Sequence, residues 1–361
     1  MQDFTYQTAP MRVIFGAGTL TQLANELARL DISSALILST PNQERQASDI
    51  AAMLGGRAAG TFTEAAMHTP MDVTDRAVAY AKALGADGVV AIGGGSTTGL
   101  GKAIALRTDL PQIVVPTSYA GSEMTAILGE TRDGLKITQT SPKILPETVI
   151  YDVDLTMTMP PSLSATSGLN AIAHAVEALY ARERNPIISL MAEEGIRNLA
   201  RALPRIQHRP DDIEARTEAL YGAWLCGCCL GAVGMALHHK LCHTLGGTFN
   251  LPHSETHAAI LPHAVAYNAS ADPQAMSRIA RALGAGDAAG GLFELAGKIG
   301  VRRSLKEIGM REDHIDLAAD LAVTNPYWNP RRVERDAVRG LIARAWAGAA
   351  PLADLPIAVQ A

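Results

Sequence analysis

The stretch GVVAIGGGSTTG at residues 88–99 predicts the fold of the first half of the chain. Its opening residues form a short apolar run typical of a buried strand, and three glycines then lead into the helix-like run 100–105. Glycines let the backbone approach a diphosphate, and the first amides of the following helix can bind it. The spacing matches neither the dinucleotide fingerprint nor the Walker loop, so a plain strand-to-helix turn remains an alternative.

Similar patterns lie on both sides of this stretch. Short apolar runs predict further strands, and a segment with one charged and one apolar face predicts a helix between them. These segments are the strands Ala35–Ser39, Gln112–Val115 and Thr148–Asp152, and the helix Val73–Leu84. Strands that alternate with helices indicate a parallel sheet wound by helices. From Pro161 onward the pattern is helical. We therefore predict an α/β, Rossmann-like dinucleotide-binding domain at 1–159 and an all-helical domain at 160–361.

Composition restricts the classes of function. The chain has 361 residues and a formal net charge of −5, which does not favour a nucleic-acid partner, since phosphate binding needs clustered Lys and Arg. We expect no membrane span and no signal peptide, and hence a cytoplasmic location, because neither pattern occurs in the sequence. Three of the four cysteines, Cys226, Cys228 and Cys229, lie together in an apolar helical stretch, and Cys242 stands apart. We expect all four to be reduced thiols that pack between helices.

A second loop, PTSYAGSE at residues 116–123, also follows a predicted strand. Hydroxyl groups and small residues at the carboxyl end of a parallel strand are suited to hydrogen-bonding a cofactor. Two such loops at neighbouring strand ends are difficult to explain as plain turns. Together they indicate a dinucleotide site.

Histidines are concentrated in the second half of the chain. Asn170 and His174 lie four residues apart, on one face of a predicted helix. Six of the ten histidines then follow within 26 positions: His238, His239, His243, His253, His257 and His263. A single helical histidine usually packs in a core or lies at the surface. Six in one stretch indicate a site.

The GGGS turn followed by the PT-x-x-x-GSE loop resembles the iron-containing alcohol dehydrogenase superfamily, and the resemblance covers nearly the whole chain. It implies an NADH or NADPH cofactor. The residues implied to bind it are Gly94, Gly95, Ser96, Thr97, Thr117, Ser118, Thr125 and Lys136. For Lys136, a merely solvated side chain is the alternative. Thr40 stands where NAD-specific members often place an Asp, so its neutral side chain implies use of both cofactors, unless it only caps a turn.

The resemblance also implies the remnant of a metal site. The superfamily holds a divalent metal with an Asp, a His four residues later and two distant His. Here His174, His239 and His253 fall on the three His positions, and Asn170 replaces the Asp. An amide is neutral and a weaker ligand than a carboxylate, so we expect function without a metal. Zinc held by three imidazoles remains an alternative.

Several strings resemble one branch of the superfamily, the maleylacetate reductases. They are His238–Gly247, Leu251–His257 and Asn325–Arg331, together with Gly99 at a usual Asp position and a shortened second loop that carries Tyr119. The resemblance implies a homodimer that reduces the carbon–carbon double bond of maleylacetate to give 3-oxoadipate in aromatic degradation. A metal-dependent alcohol dehydrogenase for a small alcohol or aldehyde is the alternative enzyme. A silent dinucleotide-binding regulator is the alternative outside catalysis.

That reaction assigns roles to the polar side chains. Hydride addition to the alkene carbon beta to the ketone places negative charge on the ketone oxygen as an enolate. The enolate needs hydrogen-bond donors, and the adjacent carbon then needs a proton. We predict His243 as the proton donor or enolate partner, with His239, His253 and His174 as the other catalytic histidines. The substrate is a dicarboxylate, so Lys240 and Arg331 are predicted anchors and Tyr119 a predicted contact. A solvated helix residue is the alternative for Lys240.

Overall fold

The computed structural model describes residues 3–132 and 135–353, apart from the side chain of Lys136. The chain divides into two compact units, one from Thr5 to Met159 and the other from Pro160 onward. The first unit contains a parallel sheet with helices, and the second contains helices only among its described residues. The predicted fold class is confirmed.

The first unit is built on eight strands. They are β1 (Arg12–Gly16), β2 (Ala35–Leu38), β3 (Ala58–Phe62), β4 (Gly88–Gly93), β5 (Gln112–Pro116), β6 (Ile127–Arg132), β7 (Leu135–Thr140) and β8 (Thr148–Asp152). Six of them form a parallel sheet in the order β1-β8-β5-β4-β2-β3, whereas β6 and β7 form an antiparallel pair. The sequence did not predict β1 and β3, which are the two edge strands. Both are only partly buried, so neither carries the continuous apolar run of a central strand.

Four helices cover this sheet: α1 (Leu23–Arg29), α2 (Glu44–Leu54), α3 (Met71–Ala83) and α4 (Gly95–Thr108). Every residue of β4 and β5 is buried, and α4 is buried from Thr97 to Ala105. This explains why α4 has small apolar residues on most faces rather than a charged face. The glycine turn of the sequence is therefore held at the centre of the sheet.

The strand order places this turn at the switch point of the sheet. From β2 the chain passes through α2 to β3 on one side, and from β4 it passes through α4 to β5 on the other, while β2 and β4 pair directly. In open α/β sheets, ligands bind in the crevice at the carboxyl ends of such strands. Thr40 follows β2 and Gly94 follows β4, so both lie at this crevice.

Nine helices make up the described part of the second unit. They are α5 (Pro161–Tyr180), α6 (Pro186–His208), α7 (Ile213–Ala232), α8 (Leu237–Phe249), α9 (His253–Asn268), α10 (Pro273–Leu283), α11 (Ala288–Lys298), α12 (Ile315–Val323) and α13 (Arg335–Ala347). Helix α5 is buried from Ser164 to Tyr180 and packs against α6, α7 and α9. A second apolar core joins α8, α9, α12 and α13. No single described helix has both the length and the apolar composition needed to span a membrane, although α7 and α8, bent by 95°, meet the criterion as a pair.

Helices α6 and α7 approach through two glycines. A Cβ on Gly222 would lie 3.0 Å from the carbonyl oxygen of Gly195, and one on Gly195 would lie 3.1 Å from that of Gly222. Backbone atoms cannot move aside as a flexible side chain can. The contact therefore requires that neither residue has a side chain.

We predict that Gly222→Ala lowers the free energy of unfolding by about 1–3 kcal/mol, because overpacking forces the two helices apart. The matched control is Gly340→Ala on the exposed face of α13, where a Cβ would meet nothing within 4 Å. That variant should gain about 0.5–1 kcal/mol from the better helix propensity of alanine. Urea unfolding measures both. Equal stabilities for the two variants would contradict the close approach.

Candidate active site

The glycine turn between β4 and α4 is closed to side chains. Gly93 has a φ of +151°, and a Cβ there would lie 2.4 Å from Oγ1 of Thr97. A Cβ on Gly94 would lie 2.8 Å from Oγ of Ser118. Glycine is therefore required for both the conformation and the close packing of this turn. A turn without side chains leaves its backbone open to a bound group.

The turn also presents hydrogen-bond donors. Helix α4 begins at Gly95, so the amides of Gly95, Ser96 and Thr97 lie in a first turn that has no carbonyl partners within the helix. These amides and the positive end of the helix suit an anion such as a pyrophosphate. The bare backbone and the free amides together fit a dinucleotide.

The second loop joins this turn through hydrogen bonds. The amide of Thr117 donates to the carbonyl of Gly93 over 3.0 Å. Gln43 links both strand ends, because its Nε2 donates to Oγ1 of Thr117 over 2.9 Å and its Oε1 accepts from Oγ1 of Thr40 over 3.1 Å. The predicted residues Thr40, Gly94, Gly95, Ser96, Thr117 and Ser118 thus come together. The sequence did not single out Gln43, which follows Thr40 by three residues in an ordinary turn.

Other predicted cofactor and substrate residues have different surroundings. Thr97 and Tyr119 are fully buried. Oγ1 of Thr125 already accepts a hydrogen bond of 2.9 Å from Nζ of Lys102. Lys136 lies on β7, and its side chain is outside the described part of the chain. A cofactor role for the side chains of Thr97 and Thr125 and a substrate contact for Tyr119 remain predictions without support from these positions.

Lys102 ties the second loop to α4. Its buried ammonium group donates to Oγ1 of Thr125, to the carbonyl of Ile127 over 3.0 Å and to the carbonyl of Ser122. Burial lowers the pKa of Lys102 to about 7, and the nearby carboxylate of Glu123 opposes that change. The sequence shows Lys102 only as one residue of a helix. The structure shows that it fixes the end of the loop.

In the second unit, three helices bring the histidines together. Asn170 and His174 come from α5, His238, His239 and His243 from α8, and His253 and His257 from α9. Ring centroids are 5.2 Å apart for His174 and His239, 5.0 Å for His239 and His257, and 4.4 Å for His253 and His257. The predicted cluster is therefore present. His263 is further along α9 and packs instead against Phe293, at 6.5 Å between centroids.

A buried glutamate that the sequence analysis missed organises this cluster. Glu177 is fully buried on α5, and its Oε2 accepts from Nδ1 of His239 over 2.7 Å and from the amide of Ala236 over 2.8 Å. Its Oε1 accepts from the amide of His238 over 2.8 Å. Glu177 thus binds the positive end of α8 and fixes the Nδ1–H tautomer of His239. The available signal was its position seven residues after Asn170 and three after His174, which places all three on one helix face.

Burial favours the neutral form of three rings of the cluster. Burial, reinforced by the neighbouring histidines, holds the pKa values of His174, His238 and His257 well below the usual histidine value. His238 and His257 share a hydrogen bond of 3.0 Å between Nε2 and Nδ1. These rings supply N–H groups and lone pairs rather than positive charge.

Two of the predicted catalytic histidines reach the surface. His253 is exposed at the start of α9 and His243 is half-buried, whereas His174 and His239 are only 3% and 4% exposed. Nδ1 of His243 lies 2.9 Å from the hydroxyl of Tyr327. A small molecule can therefore contact His243 and His253 directly. The rings of His174 and His239 are not accessible to it.

The two predicted carboxylate anchors differ in position. Nζ of Lys240 lies 5.9 Å from the ring centroid of Tyr327 and donates to the carbonyl of Thr324 over 2.9 Å. Arg331 donates to the carbonyl of Tyr267 over 3.0 Å, with its guanidinium 4.1 Å from that ring centroid. Lys240 lies near His243, and Arg331 is held against Tyr267. Of the two, only Lys240 is placed by these contacts beside the accessible histidines.

Comparison with known proteins agrees with this geometry. Residues 10–153 match the family model "Iron-containing alcohol dehydrogenase", and residues 164–346 match "Fe-containing alcohol dehydrogenase family, C-terminal". The chain belongs to the iron-containing alcohol dehydrogenase family.

Individual relatives narrow the assignment to one branch of this family. The chain is 57% identical to a maleylacetate reductase of Rhizobium sp. strain MTP-10005 and 56% identical to one of Sphingobium indicum, and each alignment covers 97% of this chain and at least 99% of the relative. The crystal structure of maleylacetate reductase from Agrobacterium tumefaciens aligns with a TM-score of 0.94 at 57% identity, over 97% of this chain and 100% of that one. Within the family, the chain falls in the maleylacetate reductase branch.

The family name raises the question of a metal. Three buried atoms have no hydrogen-bond partner and could therefore coordinate a metal: Asn170 Oδ1, His174 Nδ1 and His239 Nε2. All three donors are neutral, however, and the nearby carboxylate of Glu177 is occupied by three N–H groups. His238, Cys242 and His257 also have donor atoms within 4.8 Å of one another, but burial raises the pKa of the Cys242 thiol well above its usual value. No anionic donor remains to balance a divalent cation, so these residues do not fit the family's metal.

We predict that Glu177→Ala lowers the free energy of unfolding by about 3–5 kcal/mol, because three buried N–H groups lose their acceptor. The control is Glu294→Ala on the exposed face of α11, which should change stability by no more than about 0.5 kcal/mol. Urea unfolding monitored by circular dichroism measures both. A Glu177→Ala variant as stable as the control would show that the carboxylate does not organise α8.

Proposed function

We propose that this chain catalyses the NAD(P)H-dependent reduction of the double bond of maleylacetate to 3-oxoadipate. The observation that carries the proposal is a cluster of neutral imidazoles with an amide, Asn170, at the family's carboxylate position. Such a cluster suits an enolate, which N–H groups can stabilise, better than an alkoxide that needs a metal cation. The names of relatives that are 49–57% identical over 97% of the chain support the same substrate.

The first unit holds the dinucleotide in this proposal. The amides of Gly95, Ser96 and Thr97 bind the pyrophosphate, and Thr117 and Ser118 hydrogen-bond the cofactor from the second loop. When bound, the reduced nicotinamide supplies a hydride to the alkene carbon beta to the ketone. Lys102 keeps the end of the second loop in place through Ser122 and through Thr125 just beyond it.

The accessible histidines handle the charge and the proton. Negative charge develops on the ketone oxygen, and His253 donates to it in this proposal. His253 is the first residue of α9, where the helix end is positive, which supports this role. His243 donates a proton to the alkene carbon alpha to the ketone, where the enolate is protonated. Lys240 attracts a substrate carboxylate. Glu177 and His239 keep α8, and with it His243, in place.

Cofactor choice follows from Thr40. An Asp at the end of the first strand would repel the 2′-phosphate of NADP by like charge, and Thr40 is neutral. The chain should therefore use both NADH and NADPH. A homodimer and a cytoplasmic location are further predictions from the sequence.

The first prediction of this proposal concerns the substrate. Oxidation of NADH, followed at its absorbance band, should depend on freshly generated maleylacetate and respond barely to ethanol, propanediol or simple aldehydes. His243→Asn should lower kcat by about 100-fold or more, because a general acid contributes roughly 10²–10⁴. Robust oxidation of small alcohols without maleylacetate turnover would overturn the proposal in favour of a metal-dependent alcohol dehydrogenase.

The second concerns metal. Chelation should leave activity largely intact, because Asn170 contributes no charge, and purified protein should contain well under one metal per chain by elemental analysis. Asn170→Asp should raise the affinity for zinc, whereas Asn170→Ala, which adds no charge, should not. Activity that is lost in chelator and restored by zinc or iron would show that three imidazoles suffice.

The third concerns the two cofactors. The wild-type preference between NADH and NADPH should stay below about a hundredfold, or roughly 3 kcal/mol. Thr40→Asp should lower kcat/KM for NADPH at least about tenfold by like-charge repulsion and leave that for NADH nearly unchanged. The neutral isostere Thr40→Asn is the control and should not discriminate. If Thr40→Asp and Thr40→Asn changed kcat/KM for NADPH equally, another residue would determine the choice of cofactor.

A further inference from the structure

His243 and Tyr327 form a pair that the proposed function does not yet use. Tyr327 belongs to the segment 325–331 that the sequence analysis noted, and its hydroxyl lies 2.9 Å from Nδ1 of His243, with the rings edge to face. A phenol is a much stronger acid than a neutral imidazole N–H, so the favoured arrangement has the Tyr327 hydroxyl donating to Nδ1. That arrangement places the ring proton of His243 on Nε2.

A neutral imidazole cannot easily act as an acid alone. If His243 lost its Nε2 proton to the substrate with nothing arriving at Nδ1, it would become an imidazolate anion. A proton that moves onto Nδ1 in the same step removes this difficulty. Tyr327 is the residue in position to provide it.

We propose that Tyr327 is a relay residue that reprotonates His243 during turnover, and this inference rests on the proposed function. The substrate enolate takes the Nε2 proton of His243 on carbon, and the Tyr327 hydroxyl passes its proton to Nδ1. His243 ends as a neutral ring with its proton on the other nitrogen, and Tyr327 ends as a phenolate. A proton from water then restores Tyr327, and after product release the ring of His243 exchanges its Nδ1 proton for one at Nε2 through water.

The surroundings of Tyr327 suit this role. The residue is 37% exposed, so water can reach it, and the ammonium of Lys240 lies 5.9 Å from its ring centroid. That cation stabilises a transient phenolate. Burial and the negative charge of Glu177 raise the pKa of Tyr327 above the usual tyrosine value, so the phenolate is transient and favours taking up a proton. The relay therefore connects a half-buried acid to solvent.

The test is Tyr327→Phe, which removes the hydroxyl and keeps the ring. We expect kcat with maleylacetate to fall about 10- to 100-fold, in the range of general acid catalysis, while KM changes less than about threefold. The solvent deuterium isotope effect on kcat should increase, because proton delivery becomes limiting. Small buffer acids should partly restore kcat, since the site is open to solvent. The control is Tyr80→Phe on α3, a tyrosine of similar exposure at 39%.

The outcomes separate the two ideas. Wild-type protein that does not turn over maleylacetate contradicts the proposed function itself. Active wild-type protein together with a Tyr327→Phe variant of unchanged kcat and isotope effect overturns the relay alone. A Tyr327→Phe variant whose loss lies in KM, with no rescue by buffer acids, also overturns it, because the hydroxyl would then only bind substrate.

Discussion

The carboxylate of Glu177 is the group on which the candidate active site depends. It is fully buried, yet it accepts hydrogen bonds from the amides of Ala236 and His238 and from Nδ1 of His239. A buried charge is tolerated only where such partners surround it, and here the positive end of α8 adds to them. One side chain of α5 therefore sets the start of α8, and α8 carries His239, Lys240 and His243. A shift of that helix would move all three.

The same arrangement explains how the cluster can work with neutral groups. Asn170 supplies no charge, and burial keeps His174, His238 and His257 unprotonated. These rings form a buried backing behind the accessible rings, whose N–H groups can interact with a developing negative charge. His253 and His243 are the accessible rings. The proposed division is therefore between buried groups that hold the geometry and accessible groups that meet the substrate.

The sequence predicted those parts of the structure that have a local signal. The central strands β4, β5 and β8 are continuous apolar runs, and the glycine turn follows β4 directly. The edge strands β1 and β3 have no such run, because each is only partly buried. The histidine cluster was predicted from its density along the chain, and the helices α5, α8 and α9 do bring its members together.

The rest depends on contacts between distant residues. Glu177 looks like an ordinary helical glutamate until α8 is placed against it, and Tyr327 lies 84 residues from His243. The sequence shows that Arg331 is positively charged, but it does not show that its guanidinium packs against the ring of Tyr267. Thr125 was assigned from the family resemblance, whereas Lys102, which donates a hydrogen bond to its hydroxyl, is 23 residues earlier and was not singled out.

The most direct test of the Glu177 account is the tautomer of His239 in protein labelled with ¹⁵N-histidine. Long-range ¹H–¹⁵N correlation spectra distinguish a ring proton on Nδ1 from one on Nε2. With Glu177 ionised, the account predicts a proton on Nδ1 of His239, shifted downfield by its 2.7 Å hydrogen bond to the carboxylate. A spectrum in which Nδ1 carries no proton would contradict the claim that Glu177 organises this site.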